Sequence, residues 1–398
     1  MPLTIVSSDR FADHLMPPGH PERVARAHVM QAVTAKWSAR GVPVRAPRPA
    51  TRDELLRVHA PAYLDLVAGT AGRAVRLDPD TFTSPDTAEV AALAAGASIV
   101  AVDVVLNGAG RAAQERIGTN FKSCDPAVAE GDIRPDLFSA VVPVRPPGHH
   151  AEAARAMGFC IYNNVAIAAA HALARGLTRV AIVDYDVHHG NGTQWTFYGD
   201  RRVLFVSTHQ FPFYPGTGSA GAAGRAGAGG FTVNVPIEAG ATVGDYTHVF
   251  DRVIVPVLQA FEPELLLVSA GFDAHMNDPL AGMRVSVEGY NGLARRLRDV
   301  ASAARCPAVF VTEGGYHLKV LGACLDGLVR VLLDDRSSAS AVAPDAVPVP
   351  VSGGSPDAEP LTPDDLPLAE YATVEPTHRG PAAVDLVRAI QTRYWPGL

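Results

Sequence analysis

Lysine is nearly absent from this chain, cysteines are few and unpaired, and no stretch of about 18 consecutive apolar residues occurs. Only Lys36, Lys122 and Lys319 are lysine, and the other 31 basic residues are arginine. With abundant alanine, glycine and proline, that bias points to a GC-rich, bacterial genome rather than to a function. The formal charge is −7 and no basic block stands out, which argues against a generic nucleic-acid surface. Cys124, Cys160, Cys306 and Cys324 form no CxxC pair and no disulfide framework, so a reduced, cytoplasmic setting is expected. Without a long apolar run, no membrane span is expected. Met1-Pro2-Leu3-Thr4 lacks the basic and then apolar blocks of a secretory signal. There is no GxSxG nucleophile elbow, and Gly216-Thr217-Gly218 is too short a pattern for a nucleotide site.

What is present is 398 residues with 47% hydrophobic content, enough for one large or two ordinary domains. Leu3 to Ser7 reads as a first strand, followed by helices over about Pro21 to Ala39, from a capping box at Thr51–Glu54, and from Pro61. Leu77 to Pro85 reads as a loop carrying two acids, and an Ala-rich helix is expected over Asp86 to Leu106. Residues 107–137 are polar and punctuated by glycine and proline, which predicts a long surface excursion. Strands then alternate with helices. The strands fall at Ser139–Val144, Arg179–Asp186, Val203–His209, Leu265–Ala270 and Pro307–Thr312, with Phe231–Pro236 as an additional edge strand. The helices fall near 162–175, 245–260, 286–304 and 318–333. That alternation predicts an α/β fold with a mainly parallel sheet covered on both faces, and ligands beyond the carboxyl ends of its strands. The expected organisation is a single domain over 1–398. Its core spans about 10–335, followed by a Pro-rich connection over 336–380 and an amphipathic helix over 381–394 docked on the core.

Four polar clusters follow predicted strands, and strand ends of one parallel sheet converge. The central one is Asp184-Tyr185-Asp186-Val187-His188, where alternation would send Asp184, Asp186 and His188 to one side and His189 to the other. Two buried carboxylates beside an imidazole are costly without a cation. Asp186, His188 and Asp273 would form an open metal site of the kind a catalytic zinc uses, although iron(II) or manganese would also accept it. His149 and His150 suggest a pair with different partners, Asp184 for an imidazolium and Asn191 for a neutral base. Tyr316, after Gly314-Gly315, can donate to a developing oxyanion. Together these parts suit metal-assisted hydrolysis of an unactivated acyl group.

The segments RPPGHHA (145–151), GFCIYNNVAIAA (158–169), DYDVHHGNGTQ (184–194), FYPGTG (213–218), SAGFDAHMNDPLAGM (269–283) and EGGY (313–316) resemble the zinc-dependent histone deacetylase superfamily. HPERVAR (20–26) is similar to the N-terminal motif of its class II-like bacterial deacetylase and acetylpolyamine amidohydrolase branch. The resemblance implies a three-layer α/β/α arginase/deacetylase fold and hydrolysis of acetyl-lysine-like amides to free amine and acetate. It implies one zinc on Asp186, His188 and Asp273, His150 as general base oriented by Asn191, and His149 paired with Asp184. Tyr316 would polarise the carbonyl. Gly158, Phe159, Tyr214 and Leu280 would line a substrate tunnel, and Arg26 an acetate exit. A structural potassium would sit at Asp184, Asp186 and His188 backbone oxygens with the Ser207 hydroxyl, and a second, weaker ion near Phe197 and Val203. Leu280 stands where polyamine-selective relatives carry glutamate, which favours acetyl-lysine-like substrates, and Asp80 is a rim acid for a substrate amide. The alternatives are an acetylpolyamine amidohydrolase, a binuclear manganese ureohydrolase and a non-catalytic acyl-ligand module. Neither nucleic acid nor membrane is expected as a partner, and a homo-oligomer remains open.

Overall fold

The computed structural model describes residues 2–119, 138–333 and 375–398. Its strands are β1 (Leu3–Val6), β2 (Val44–Arg45), β3 (Arg76–Asp78), β4 (Thr81–Phe82), β5 (Ser139–Val142), β6 (Val180–Asp184), β7 (Val203–Gln210), β8 (Thr232–Ile237), β9 (Leu265–Ala270) and β10 (Ala308–Thr312). Eight of them form one sheet in the order β2-β1-β5-β10-β9-β6-β7-β8, while β3 and β4 pair separately and antiparallel. Every pairing in the large sheet is parallel.

The inner strands are runs of valine, isoleucine, leucine and phenylalanine, buried at every position. Such runs suit a sheet covered on both sides. Alternation divides them between two cores. Leu266 and Val268 belong to one, with Met30 and Trp37 of α1 (Val24–Ala39) and with Leu297 and Leu325. Leu265 and Leu267 belong to the other, with Ala94 and Ile167. The first face is covered by α1, α9 (Val287–Ala304) and α10 (Leu318–Leu333), the second by α4 (Thr87–Thr119) and α5 (Asn164–Ala174). The result is three layers, as the alternation of elements predicts. The helices are completed by α2 (Arg52–Leu55), α3 (Pro61–Ala68), α6 (Asn191–Phe197), α7 (Val243–Val249), α8 (Val255–Phe261) and α11 (Arg379–Gln391).

Several expectations are corrected. The surface excursion expected at 107–137 is not found over 107–119, where α4 runs on to Thr119, carried by the helix-favouring stretch Arg111 to Arg116. The remainder, 120–137, lies outside the described residues, as does 336–374 of the Pro-rich connection. The expected loop at Leu77–Pro85 contains the β3–β4 pair, turned by Asp78-Pro79-Asp80. Helix α4 is also long and apolar enough over Thr87–Gly108 to cross a membrane, which the search for an unbroken apolar run passed over. In this fold 67% of that window is buried, packed against the sheet and α5 as a core helix.

The edge strand β8 is covered by α11. Gln391 Nε2 donates to Thr232 O (2.9 Å), and Trp395 Nε1 donates to Gly230 O (2.9 Å). The buried Asp245 carboxylate accepts from Thr377 Oγ1 and Gly380 N, pinning the start of that helix to α7. An uncovered edge would present unpaired backbone groups to other chains. A cavity of about 710 Å³ opens at the amino ends of β1 and β5, lined by Leu3, Arg40 and Phe138 among others, and holds none of the clustered polar residues.

Candidate active site

The four neighbouring strands β5, β10, β9 and β6 end side by side at the middle of the sheet, and the polar clusters that follow them meet there. Strand β6 stops at Asp184, so alternation is not what brings Asp186 and His188 together. Two successive side-chain turns do it instead: Asp184 Oδ1 accepts from Asp186 N (3.1 Å), and Asp186 Oδ1 accepts from His188 N (2.9 Å). Asp273, three residues past β9, accepts from Val187 N through Oδ1 (2.9 Å).

These bonds converge three donor atoms. His188 Nδ1 lies 3.1 Å from Asp186 Oδ1 and 3.3 Å from Asp273 Oδ2. One ligand atom from each of the three buried residues lies within 4.8 Å of the others. Asp273 Oδ2 is buried and makes no hydrogen bond; the His188 contact is charge proximity without hydrogen-bond geometry. Burial opposes a charge on His188, yet the two carboxylates push its pKa up to about 10. The cluster therefore calls for positive charge, and an orphaned buried carboxylate oxygen is the donor a metal ion would satisfy. A second buried trio, His149, Cys160 and Glu313, is also close enough to hold an ion. Its atoms are already engaged: Glu313 accepts from Gly148 N (2.6 Å), His149 N (3.1 Å) and Ser269 Oγ (3.0 Å), and the Cys160 thiol donates to Gly158 O (3.2 Å).

His149 and His150 have different partners. His149 Nδ1 is 3.0 Å from Asp184 Oδ2, and His150 Nδ1 is 2.7 Å from Asn191 Oδ1. Burial works against charge on both. For His149 the carboxylates of Asp184 and Asp186 prevail and raise its pKa well above the ordinary value. For His150, burial and the neighbouring imidazoles His149 and His188 lower it. One is charged and one neutral, set by surroundings.

Tyr316 is nearly buried, and Gly315 before it adopts φ +115°, a conformation that favours glycine. Asp278 Oδ2 accepts from Tyr316 N (2.6 Å), while Asp278 Oδ1 accepts from Leu280 N (3.0 Å). Burial first, and Asp273 second, hold the phenol pKa well above its usual value, so it remains a donor. Gly314 N donates to Asp186 Oδ2 (2.8 Å), and a Cβ at Gly314 would lie 2.0 Å from Asp273 Oδ2.

Around this centre, the Phe159 ring meets Tyr316 edge-on (5.7 Å), and Tyr214 meets His150 (5.2 Å) and His188 (6.0 Å). Gly158 lies so close to His150 that a Cβ would come 2.3 Å from its ring. Leu280 is half-buried. Asp80 Oδ1 accepts from Gly158 N (3.2 Å) and Thr81 Oγ1 (2.9 Å), so one of its oxygens holds the wall in place. Arg26 is fully buried; its guanidinium lies over the Tyr316 ring (5.0 Å) and donates to Gly315 O (2.8 Å) and Glu22 (2.9 Å). Ser207 faces Asp184 across the parallel ladder, with its hydroxyl 3.0 Å from His209 Nδ1. Phe197 and Val203 lie at the end of α6 and the start of β7. His189 is buried apart from the Asp186, His188 and Asp273 cluster, between Thr217 Oγ1 (2.7 Å) and Gln194 Oε1 (3.0 Å).

Sequence reasoning missed several contributors, all inside the quoted motifs. Phe213 stacks on the His188 ring (5.4 Å, 18°). Glu313 clamps the His149 backbone to β9, and Asp278 holds Tyr316. Glu22 joins two buried guanidiniums, bonding both Arg26 and Arg145, with His14 beside it (3.6 Å). The available signal was Arg145 itself: an arginine at the end of an apolar strand must be paired if buried. Glu22→Gln leaves two guanidiniums short of their counter-charge, and chemical denaturation should show a loss of about 3–5 kcal/mol. A loss below about 1 kcal/mol would mean that water or another group compensates them.

A histone deacetylase domain model matches residues 18–332. The chain is 38% identical over 306 residues to a chloroplastic histone deacetylase of Oryza sativa subsp. japonica, covering 74% of this chain and 63% of that protein. It is 36% identical over 320 residues to a probable deacetylase of Archaeoglobus fulgidus, covering 79% and 81%. A mouse polyamine deacetylase is 38% identical over 305 residues, 72% of this chain and 40% of that one. The crystal structure of the HDA15 HD domain superposes with a TM-score of 0.77 at 30% identity, over 99% of this chain and 95% of that one.

Proposed function

The chain belongs to the histone deacetylase family, and we propose that it is a zinc-dependent hydrolase of acetyl-lysine-like amides, with its own residues dividing the work of a single centre. Hydrolysis of acetyl amides is the activity that membership carries. The observation that supports zinc most directly is the buried, unpartnered Oδ2 of Asp273 beside Asp186 and His188. Zinc held there supplies Lewis-acid polarisation of the acetyl carbonyl and acidifies water.

The remaining steps belong to side chains. His150, neutral and aimed by Asn191, takes the proton of the attacking water and passes it to the leaving amine. His149 stays charged against Asp184 and stabilises negative charge nearby. Tyr316 donates its hydroxyl hydrogen to the developing oxyanion. Phe159 and Tyr214 flank the approach, which suits a slim alkyl chain carrying the acetamide. The acetate product would pass toward Arg26.

Leu280 beside this approach offers no anchor for a second ammonium group, which supports acetyl-lysine-like amides over acetylpolyamines. Asp80 retains one oxygen for a substrate amide. Potassium at the Asp184, Asp186 and His188 backbone oxygens and the Ser207 hydroxyl is supported by the ladder pairing of Asp184 with Ser207, and a second ion would lie near Phe197 and Val203.

The test is turnover by purified zinc-loaded protein on acetyl-lysine peptides, acetylspermidine and acetylputrescine. The peptides should be preferred, with one zinc per chain by metal analysis. A strong polyamine preference reverses the order, which the mouse relative's name keeps in view. Two manganese ions per chain would favour ureohydrolase chemistry instead.

A further inference from the structure

We propose that Glu152 is the third member of a His150–Asn191–Glu152 chain and that its carboxylate fixes which ring nitrogen of His150 carries the proton. The proposal rests on the hydrolase reading only for its kinetic consequence. The geometry stands without it: His150 Nδ1 is 2.7 Å from Asn191 Oδ1, and Asn191 Nδ2 donates to Glu152 Oε1 at 2.8 Å.

An amide has one end that only accepts and one that only donates. With Oδ1 toward the ring, His150 must carry hydrogen on Nδ1, which leaves the Nε2 lone pair free to take a proton. Turned over, the Asn191 amino group would face Nδ1 and force the hydrogen onto Nε2, so the base would be lost. The two orientations have the same shape, so something outside the pair must choose between them.

Glu152 makes that choice. A carboxylate only accepts, so the turned amide would set Asn191 oxygen against Glu152 oxygen. The other neighbours of Asn191 Nδ2 are His150 O at 3.5 Å and Met157 Sδ at 3.4 Å. One is at the limit of a hydrogen bond and the other is a weak acceptor. The short, charge-assisted bond is the one to Glu152.

Glu152 is itself held by its backbone. Its N donates to Arg155 O (2.9 Å), and its carbonyl accepts from His59 Nδ1 (3.0 Å). His59 Nε2 accepts from Asn163 N (3.0 Å), which settles His59 as an Nδ1 donor. Glu152 is half-buried and does not touch His150, so it acts as a positioning residue through Asn191.

The test compares wild type with Glu152→Gln in the zinc-loaded full chain, with histidine labelled by nitrogen-15. Glutamine can face either end of Asn191, so the preference relaxes. Wild-type His150 should appear as the single Nδ1–H tautomer, assigned by its disappearance in His150→Gln, and Glu152→Gln should show a mixture. In that variant kcat on an acetyl-lysine peptide should fall about tenfold, while KM, zinc content and Tm stay at wild-type values. Adding Asn191→Asp to Glu152→Gln should put hydrogen on Nδ1 in every molecule, as the Nδ1–H tautomer or the imidazolium, because a carboxylate at 191 can only accept.

An unchanged tautomer in Glu152→Gln overturns the proposal whether or not kcat falls. A mixed tautomer with unchanged kcat overturns the catalytic part of it. A wild-type protein inactive on every acetyl amide would instead sink the hydrolase reading, while the tautomer comparison would still decide this one.

Discussion

Tyr316→Phe should keep a full complement of zinc and a wild-type Tm while losing a hundredfold or more of kcat. The substitution removes one oxygen and leaves the rest of the ring's setting intact. The edge-on contact with Phe159, the Arg26 guanidinium over the ring and the Asp278 bond to the Tyr316 amide all remain. What disappears is a donor aimed at charge that exists only in the transition state, a loss of roughly 3 kcal/mol or more. KM should change little, since the ground-state carbonyl gains little from that donor. Burial, the largest influence on it, raises the phenol pKa above its ordinary value, so the hydroxyl remains a donor at neutral pH. Steady-state kinetics with parallel metal analysis measures both halves, and unchanged rates would remove Tyr316 from the mechanism.

Asp186→Ala and Asp273→Asn should each abolish stoichiometric zinc and reduce hydrolysis to background. Asp186 does more than face an ion: its Oδ1 holds His188 N and its Oδ2 holds Gly314 N. Alanine there removes a ligand and frees two amides, so some loss of Tm is expected alongside the loss of metal. Asp273→Asn is the cleaner substitution. Its carbonyl oxygen can still accept from Val187 N, while an amino group takes the place of the unpartnered Oδ2. The amino group cannot ligate a cation, so fold and metal binding separate. Either variant purifying with one zinc per chain would refute the assignment of that residue.

The legible part of this molecule was its periodic part. Runs such as Leu265–Ala270 and Ala308–Thr312 announce strands covered on both faces, and the polar clusters after them announce where a site must be. The grouping of Asp186, His188 and Asp273 could be anticipated from chemistry alone, because buried acids need a cation. The reason given for it could not, since the backbone leaves the strand at Asp184 and turns through side-chain bonds rather than by alternation. Long-range partners were equally out of reach. Glu22 meets Arg145 across 123 residues and Glu313 meets Gly148 across 165, and no local pattern records such pairings. Over 107–119 the helix was not legible because glycines at 108 and 110 precede the helix formers that carry it on.

The two side-chain turns through Asp184, Asp186 and His188 would also bear on how a metal ion is acquired. Each carboxylate fixes the amide two residues ahead with an oxygen, and Val187 is tied to Asp273 from the side. The loop is thus held by bonds among its own groups, so an ion bound there would not have to organise a slack segment first. Little conformational entropy would be left to lose, and the affinity that the three donors can express would be spent on the ion itself.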